Sequence, residues 1–294
     1  MPAYLHRKGR CAMKSGLILE GGGMRGVYTG GVLERFLEEA VFVDYIIGVS
    51  AGACNASSYI SRQMGRNREV TIGYVQHPDY ISVKNLVLKR ELFGMNLIFD
   101  EIPNRLVPFD YAGFQKATEE FVVGTTDCMT GEAVYFEKRD HPADVLSIVR
   151  ASSSLPFMAK PVEFEGRLLM DGGVADPIPI RKALEDGVTK PIIVLTKERG
   201  YRKKRNSFAR LMPAFYRQFP GIIKSMENWY LRYNETMEFI EQLEAEGKAI
   251  IIQPSRFIKM TGMERDVEKL TELYELGYHD TEQKLEEIQR FLRS

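Results

Sequence analysis

The pentapeptide Gly48-Val49-Ser50-Ala51-Gly52 matches the pattern G-x-S-x-G, which places a nucleophilic serine in many hydrolases. An apolar run before it, residues 44–49, predicts a strand, and the small residues after it predict a helix. A sharp turn between them requires glycines at Gly48 and Gly52, because a Cβ there would clash with neighbouring backbone. The turn would present Ser50 at the N-terminus of a helix, whose dipole stabilises developing negative charge. The pattern thus predicts Ser50 as a nucleophile, with a simple tight turn as the alternative.

A second motif, Gly21-Gly22-Gly23-Met24-Arg25-Gly26, could bind an anionic oxygen. Successive glycines at the start of a helix allow backbone N–H groups to point the same way. In acyl transfer such a loop is an oxyanion hole, and all six residues are candidates for it. Arg25 either caps the turn or attracts an anionic head group.

The same glycine loop also fits the dinucleotide fingerprint G-x-G-x-x-G. That fingerprint requires an acid about twenty residues later, at the end of the second strand. The nearest acid, Asp44, stands at the start of that strand instead. No Gly-Lys-Ser/Thr follows the loop, so a P-loop is excluded as well. The spacing therefore argues against a nucleotide cofactor.

A third motif supplies a base for the serine. Asp171-Gly172-Gly173 follows the short apolar run 167–170, which predicts a strand, although an acid before two glycines is also a common turn. The hydrolase order Ser…Asp…His would require His279, which falls in an acidic C-terminal helix. A Ser50–Asp171 dyad is the more economical prediction. Burial in a dry cleft would raise the pKa of Asp171 and make it a useful base.

The elements that must position these motifs alternate between strands and helices. Apolar runs predict strands at residues 16–20, 44–49, 120–125, 133–137, 167–170, 191–196 and 249–253. Helical spacing predicts helices at residues 27–40, 51–64 and 144–151. This order is typical of an α/β fold with a mainly parallel sheet covered by helices.

The three motifs, in this order and spacing, resemble those of the patatin-like phospholipase family. The stretch Ala151-Ser152-Ser153-Ser154-Leu155-Pro156-Phe157, continuing to Asp176-Pro177-Ile178-Pro179, is similar to the family's approach to its aspartate. Asp176 and Phe157 depart from the family, which often has an asparagine and a small residue there. The resemblance covers residues 16–197 and implies a three-layer α/β sandwich.

The resemblance also implies an activity, the hydrolysis of lipid acyl esters of the phospholipase A or lysophospholipase type. Ser50 would attack the ester carbonyl, and Asp171 would carry the proton. Amides of Gly22, Gly23 and Met24 would hold the oxyanion, joined by that of Ala51. Gly48, Gly52, Gly172 and Gly173 would support these groups. The scheme requires no metal and no cofactor.

Composition excludes several other classes. The chain has 294 residues, 44% of them apolar, and 40 basic residues balance 40 acidic ones. A formal charge of zero offers no global field for nucleic acid, so we expect no nucleic-acid partner. Three scattered cysteines, Cys11, Cys54 and Cys128, favour a reducing, cytoplasmic compartment. No apolar run is long enough to span a bilayer, and no signal peptide is recognisable.

Four segments organise the chain in this interpretation. Residues 1–15 form a flexible basic arm, and residues 16–197 form the core of the catalytic domain. Residues 198–262 add a basic and aromatic segment and the final strand. Residues 263–294 form a helical C-terminal extension, one or two amphipathic helices broken near Gly277 and packed on the sheet edge or bound to a partner.

The basic and aromatic segment suggests peripheral membrane contact. Residues 199–217 hold seven basic residues and no acid, interleaved with aromatic and aliphatic side chains that continue to residue 223. Such a composition is typical of a membrane-surface segment. The alternative is a solvated loop and helix whose apolar side packs on the core.

Three alternatives to a dyad hydrolase remain open at this level: a lipid-binding or scaffold protein without useful turnover, a nucleotide-dependent oxidoreductase, and a Ser–Asp–His triad. The head group, the acyl chain length and the oligomeric state are not determined. We expect the cleft wall to come from residues 70–115 and 200–235.

Overall fold

The computed structural model describes residues 13–205 and 212–294 and contains one eight-stranded sheet. The predicted arm, residues 1–15, lies mostly outside the described residues. The strands are β1 (Ser15–Leu19), β2 (Tyr45–Val49), β3 (Glu120–Asp127), β4 (Ala133–Glu137), β5 (Val162–Phe164), β6 (Arg167–Asp171), β7 (Lys190–Val194) and β8 (Ile250–Ile252). Their order is β5-β6-β3-β2-β1-β7-β8, with β4 also paired to β3. The five strands from β3 to β8 along this order are parallel, whereas β4 and β6 each pair antiparallel with β3 and β5 pairs antiparallel with β6.

Helices cover both faces of the sheet. They are α1 (Val27–Glu38), α2 (Ala51–Ile60), α3 (Arg66–Arg68), α4 (Val83–Lys89), α5 (Tyr111–Lys116), α6 (Val145–Ser152), α7 (Ile180–Glu185), α8 (Met212–Phe215), α9 (Pro220–Glu227), α10 (Trp229–Ala245) and α11 (Val267–Arg293). Two π-helical segments, Glu69–Gly73 and Leu97–Leu106, lie among them.

The central strands alternate their buried side chains between two cores, as a sheet covered on both faces requires. Leu17 and Leu19 of β1 pack into one core with α1 and α11, and Ile18 packs into the other with α7 and α10. The predicted α/β sandwich with a mainly parallel sheet is confirmed.

The C-terminal helix differs from the prediction, because α11 continues through Gly277 without a break. A Cβ at Gly277 would lie 2.2 Å from the Tyr28 carbonyl oxygen, and one at Gly31 would lie 2.0 Å from that of Tyr274. The two glycines therefore let α1 and α11 approach until their backbones touch. Gly277, which the sequence predicts to break the helix, is instead a point of close contact between two helices.

The basic and aromatic segment also differs from a free membrane-surface segment. Arg199 and Arg202 pair with Glu244 and Glu241 of α10 at 2.7 and 2.6 Å. Its apolar side chains are largely buried, namely Met212, Tyr216 and Ile222. Phe215 is exposed, and residues 206–211 lie outside the described part of the chain. Within its described part, the segment mainly packs on the core.

Across residues 13–205 and 212–294, no helix combines the length and the apolar character needed to cross a membrane.

Candidate active site

Ser50 lies at the turn between β2 and α2, as the pattern predicts. Its backbone has φ 52° and ψ −126°, a conformation that non-glycine residues rarely adopt. Such strain costs about 1–3 kcal/mol and persists only where the surroundings enforce it. Here the Ser50 N–H donates to the Ser152 hydroxyl oxygen at 2.8 Å, and that hydroxyl donates to the Gly124 carbonyl at 2.6 Å. Ser152 therefore stabilises the strained backbone conformation of Ser50 by linking it to β3.

The flanking glycines are required by close backbone approach. A Cβ at Gly52 would lie 2.4 Å from the Leu19 carbonyl oxygen, and one at Gly48 would lie 2.7 Å from the Ala53 nitrogen. Either contact would push α2 away from the sheet. The turn can thus form only with the smallest residue at both positions.

Strand β3 brings Asp171 to the serine. Val49 at the end of β2 pairs with Gly124, and Asp171 at the end of β6 pairs with Thr125. Because β4 occupies the other edge of β3 over the same residues, β2 and β6 share one edge, end to end. Ser50 follows Val49, so Ser50 and Asp171 lie next to each other along this edge of β3. They are more than a hundred residues apart in the chain.

The surroundings of Asp171 favour a base of moderate strength. The side chain is 3% exposed, and its Oδ1 accepts the Gly173 N–H at 2.8 Å. Burial raises the pKa of Asp171 to about 6, against smaller lowering effects of the Ser50 hydroxyl, the Gly173 N–H and Lys203. Oδ2 has no hydrogen-bond partner among the described residues, so the Ser50 hydroxyl lies nearby without completing a bond of ordinary geometry. Catalytic hydrogen bonds in unliganded enzymes are often long in this way.

The glycine loop lies directly beside the serine, since a Cβ at Gly21 would be 3.1 Å from Ser50 Cβ. Two amides of the predicted oxyanion hole already have acceptors within the protein. The Met24 N–H donates to the Gly262 carbonyl at 3.0 Å, and the Arg25 N–H donates to that of Gly22 at 3.2 Å. Both amides are therefore committed to the protein itself.

The other residues of the loop divide between support and candidate donors. Gly26 supports packing, since a Cβ there would lie 2.4 Å from Ala51 Cβ. The Arg25 guanidinium donates to the Met260 carbonyl, which agrees with the structural role considered for it. The Gly21, Gly22 and Gly23 amides donate to no residue of the described chain. They are the candidate oxyanion donors that remain in the loop.

Two cavities meet at Ser50. A narrow one of about 110 Å³ is mainly apolar and includes Cys54, Val70, Phe93 and Ile98. A wider cleft of about 630 Å³ contains Asp171 and the glycine loop and is walled by residues such as Tyr201 and Trp229. Both regions expected to form the cleft wall contribute to it, together with residues outside them such as Leu155 and Lys197.

The alternative sites are not assembled. His279 lies on α11, pairs with Glu282 at 3.4 Å and lines neither cavity. His77 and His141 do not line the cavities either. His6 lies outside the described residues. Asp44 accepts the Ser15 N–H at 2.8 Å at the opposite end of β2, where it cannot reach a ribose near the glycine loop. The triad therefore lacks a histidine among the described residues of the site, and the dinucleotide fingerprint lacks its acidic residue.

Over the same ranges of the chain, no cluster of three or more histidine, cysteine or acidic side chains could hold a metal ion. Cys54 and Cys128 are free thiols, and burial raises the pKa of Cys54 to about 11.

The comparisons with known proteins agree with this fold. The family model for patatin-like phospholipases matches residues 17–184, more than half of the chain. A second family model, a domain of unknown function (DUF6363), matches residues 219–293. The chain belongs to the patatin-like phospholipase family.

The chain is similar in sequence to curated proteins of different length. The chain is 26% identical to the uncharacterised protein YjjU of Escherichia coli, over 89% of this chain and 74% of that one. It is 25% identical to the uncharacterised NTE family protein Rv1063c of Mycobacterium tuberculosis, over 61% of this chain and 48% of the relative. It is also 25% identical to lysophospholipase nte1 of Aspergillus terreus, over 96% of this chain but only 19% of that protein.

Sequence reasoning missed two contributors to the site. Ser152 lies in a run of three serines that marks the end of a helix, and nothing in that run points to Ser50. Gly262 lies in a loop without any motif, yet its carbonyl accepts the Met24 N–H. Both contacts join segments about 100 and 240 residues apart, so only the folded chain reveals them.

Proposed function

We propose that this protein is a serine hydrolase of lipid acyl esters, of the phospholipase A or lysophospholipase type, with Ser50 and Asp171 as its catalytic pair. The observation that carries the proposal is the pairing of Gly124 with Val49 and of Thr125 with Asp171, which places a strained serine beside a buried carboxylate. The unpartnered Asp171 Oδ2 supports it, because an orphaned buried oxygen suits a group that accepts a proton during reaction.

The reaction follows from this arrangement. Ser50 Oγ bonds to the ester carbonyl carbon while its proton passes to Asp171. Negative charge moves to the carbonyl oxygen, where the Gly22 and Gly23 amides, joined by that of Ala51, would hold it. The intermediate collapses, and the departing alcohol takes the proton from Asp171. Water then attacks the acyl-enzyme by the same route and releases the fatty acid.

The oxyanion role makes Gly23 sensitive to the smallest substitution. Gly23 has φ +56°, and a Cβ there would lie 2.6 Å from the Gly262 carbonyl oxygen. We expect Gly23→Ala to lower kcat/KM for a nitrophenyl ester by about 10²–10³-fold, the usual cost of losing one oxyanion donor. Gly187→Ala is the matched control, because Gly187 has φ +88° but open space around it. Equal activity of the two variants would contradict the oxyanion role.

The apolar cavity suits a single acyl chain. Its wall includes Val70, and a phenylalanine there would shorten it. We expect Val70→Phe to lower the kcat/KM ratio of octanoyl to acetyl esters by about tenfold, because a few methylenes in a pocket are worth this much. Val267→Phe, at an exposed position of α11, should leave the ratio unchanged. A ratio that moves equally in both variants would place the acyl chain elsewhere.

Reactivity separates a hydrolase from a lipid-binding scaffold on the same fold. A fluorophosphonate should modify the protein once, and peptide mass spectrometry should locate the adduct at Ser50, with no adduct on Ser50→Ala. The wild type should also release fatty acid from short nitrophenyl esters and from lysophospholipids or diacyl phospholipids. Labelling without turnover on any of these would favour the scaffold, and labelling elsewhere would refute Ser50.

The proposal retains the division of the chain made from sequence, with residues 16–197 as the catalytic core and residues 263–294 as a helical extension. Contacts from Met260 and Gly262 to the glycine loop support counting residues 198–262 in the same domain. A cytoplasmic location stays a prediction.

Peripheral membrane contact through residues 199–223 is also part of the proposal, now based on the exposed Lys204, Arg205 and Phe215. Replacing both Lys204 and Arg205 by glutamine should weaken co-sedimentation with anionic vesicles by roughly 30-fold at low salt, since each cation contributes about 1 kcal/mol. Lys248→Gln is the control, because Lys248 is exposed beyond the far end of α10. Unchanged sedimentation of the double variant would discard contact through this segment.

A further inference from the structure

The wider cleft beside Ser50 is basic. Five cationic side chains line it: Arg25, Lys197, Arg202, Lys203 and Lys204. Two acidic side chains, Glu20 and Asp171, face the same space. The apolar cavity shares Ser50 with this cleft, so the two cavities offer different chemistry to the two parts of an ester.

Only one of the five cations has an acidic partner among the described residues, and of the other four Lys204 is exposed to solvent. Arg202 pairs with Glu241, and the Arg25 guanidinium is held by the Met260 carbonyl. By contrast, neither Lys197 nor Lys203 forms an ion pair with any residue in the described ranges. Burial lowers the pKa of Lys203 to about 8, with Lys197 adding to the effect, while Glu20 and Asp171 oppose it. A half-buried cation without a paired anion favours the binding of one.

Lys203 is held in place rather than free to swing away. Its Nζ lies 3.3 Å from the ring centroid of Trp229 and 4.6 Å from that of Tyr233. Its backbone N–H donates to Asn234 Oδ1 at 2.8 Å, and Asn234 Nδ2 donates back to its carbonyl at 3.0 Å. Helix α10 thus fixes both the backbone and the ammonium of Lys203 at the cleft.

The two acids of the cleft do not neutralise this site. Glu20 Oε2 accepts the Thr196 N–H at 2.6 Å and the Thr196 hydroxyl at 3.0 Å. Burial also raises the pKa of Glu20, which weakens it as a competing anion. Asp171 serves the serine in the proposed reaction.

We propose that Lys203, together with Lys197, forms a phosphate subsite that selects acyl lipids with an anionic phosphate head group. This proposal rests on the proposed function, since it assigns the head group to the basic cleft and the acyl chain to the apolar cavity. Two ammonium groups suit a phosphate, which carries at least one full charge and several acceptor oxygens.

The single tryptophan of the chain reports on this subsite without any need for turnover. Trp229 stacks with Lys203, and its Nε1–H donates to the Gly173 carbonyl at 2.5 Å. The experiment uses Ser50→Ala protein, which leaves the ligand intact. It is titrated with a short-chain lysophosphatidylglycerol, with the monoacylglycerol of the same chain length, and with inorganic phosphate.

We expect a saturable change in Trp229 fluorescence with the phosphate lipid, and a Kd at least about tenfold weaker when Lys203→Met is added, as for the loss of a charged hydrogen bond. Binding of the monoacylglycerol should not change. Lys203→Arg keeps the charge and should retain most of the affinity, and Lys224→Met, at an exposed position of α9, should have no effect.

Each other result overturns part of the inference. An equal loss for both lipids would show that Lys203 only supports the cleft wall. Binding of inorganic phosphate as tight as that of the lipid, with the same dependence on Lys203, would assign the subsite to free phosphate. Failure of the proposed function can be told apart from failure of the phosphate subsite. If only the proposed function fails, a phosphate lipid still binds through Lys203, but a fluorophosphonate does not label Ser50 in the wild type.

A different observation carries a second inference: helix α4 faces solvent with its apolar side. Val83, Val87 and Leu88 are 72%, 75% and 69% exposed, whereas the polar Asn85 is buried and donates to the Asp79 carbonyl at 3.0 Å. Residues 83–90 contain three basic residues and no acid. This pattern is the reverse of a helix that packs on a core.

Helix α4 is connected to the mouth of the site. Leu92, two residues beyond Arg90, donates its N–H to the carbonyl of Met158 in the cleft wall at 2.7 Å. The next residue, Phe93, lines both cavities. We infer that α4 docks on an anionic lipid surface, because its exposed apolar residues and the exposed cations Lys84 and Arg90 suit the acyl and phosphate layers of such a surface.

Replacing Val83, Val87 and Leu88 by serine tests this assignment. We expect co-sedimentation with phosphatidylglycerol vesicles to weaken by at least about tenfold, since three buried apolar side chains are lost. Turnover of a soluble nitrophenyl ester should not change. The control replaces Leu106, Leu231 and Val267, three other exposed apolar residues, by serine.

Equal sedimentation of the two triple variants would refute lipid docking by α4. Conversion of a dimer into a monomer in lipid-free solution by the α4 variant, with vesicle binding intact, would assign this face to a second copy of the chain.

Discussion

Replacing Asp171 by asparagine is expected to lower kcat/KM for an acyl ester by about 10⁴-fold, as loss of a triad carboxylate does in serine hydrolases. Here the carboxylate is the proposed proton acceptor itself. Asparagine keeps the shape and the Oδ1 acceptor for the Gly173 N–H, so the turn should remain intact. Steady-state kinetics on a nitrophenyl ester measure the loss.

The pH dependence adds a second readout. Burial raises the pKa of Asp171 to about 6, and the proposed mechanism requires the ionised form. The kcat/KM of the wild type should therefore rise with pH up to about 6 and level off above it. The residual activity of Asp171→Asn should lack this rise.

Stability should change in the opposite direction to activity. A carboxyl with a raised pKa binds its proton more tightly in the folded state, so the folded state loses stability as pH increases from the ordinary value of the pKa to about 6. Asp171→Asn avoids this loss and should be more stable than the wild type above pH 6, by up to about 3 kcal/mol, with little difference near pH 4. Denaturant unfolding at the two pH values measures it.

The pH profile and the unfolding measurement distinguish a loss of catalysis from a loss of activity caused by unfolding. His279→Ala is the control for a triad and should keep full activity, because His279 is distant from both cavities. An Asp171→Asn variant that is stable and active to within tenfold would refute the dyad.

Replacing Ser50 by alanine should lower kcat by at least about 10⁴-fold and abolish labelling by a fluorophosphonate. The Ser50→Ala/Asp171→Asn double variant should lose no more than the more damaged of the two single variants. The reason is that a nucleophile and its base act as one unit, so removal of either leaves only binding and oxyanion stabilisation.

Multiplicative losses in this double variant would contradict a shared step and would separate Asp171 from the serine. Ser57→Ala is the matched control, because Ser57 is a buried serine as well, but it lies within α2 and its hydroxyl donates to the Ala53 carbonyl. Its activity should equal that of the wild type.

The sequence predicted the central strands and the motifs well, because both depend on local patterns. Buried strands such as β1 and β7 appear as continuous apolar runs, and glycines mark turns where a Cβ does not fit. Asp171 was predicted from its place before two glycines, together with the resemblance to a known family. These signals extend over a few residues each, and a linear reading can detect them.

The remaining features depend on residues that are distant in the chain. The Met24 amide was expected to hold an oxyanion, but the Gly262 carbonyl, more than 200 residues away, accepts it. The aliphatic and aromatic side chains after residue 199 were compatible with lipid contact or with packing on the core, and Met212 and Tyr216 join a core with Cys128. Burial is a property of three-dimensional neighbours, so composition alone could not separate these alternatives.

The sequence by itself determined the identities of the reactive groups: a serine between two glycines, a glycine loop and an aspartate before two glycines. Only the tertiary structure decided their arrangement, because β3 alone pairs with both β2 and β6 and so sets Ser50 beside Asp171. It also decided which loop amides stay unbonded and which cations lack a partner. Hydrogen bonds and ion pairs between distant segments determine both, and no local pattern encodes those contacts.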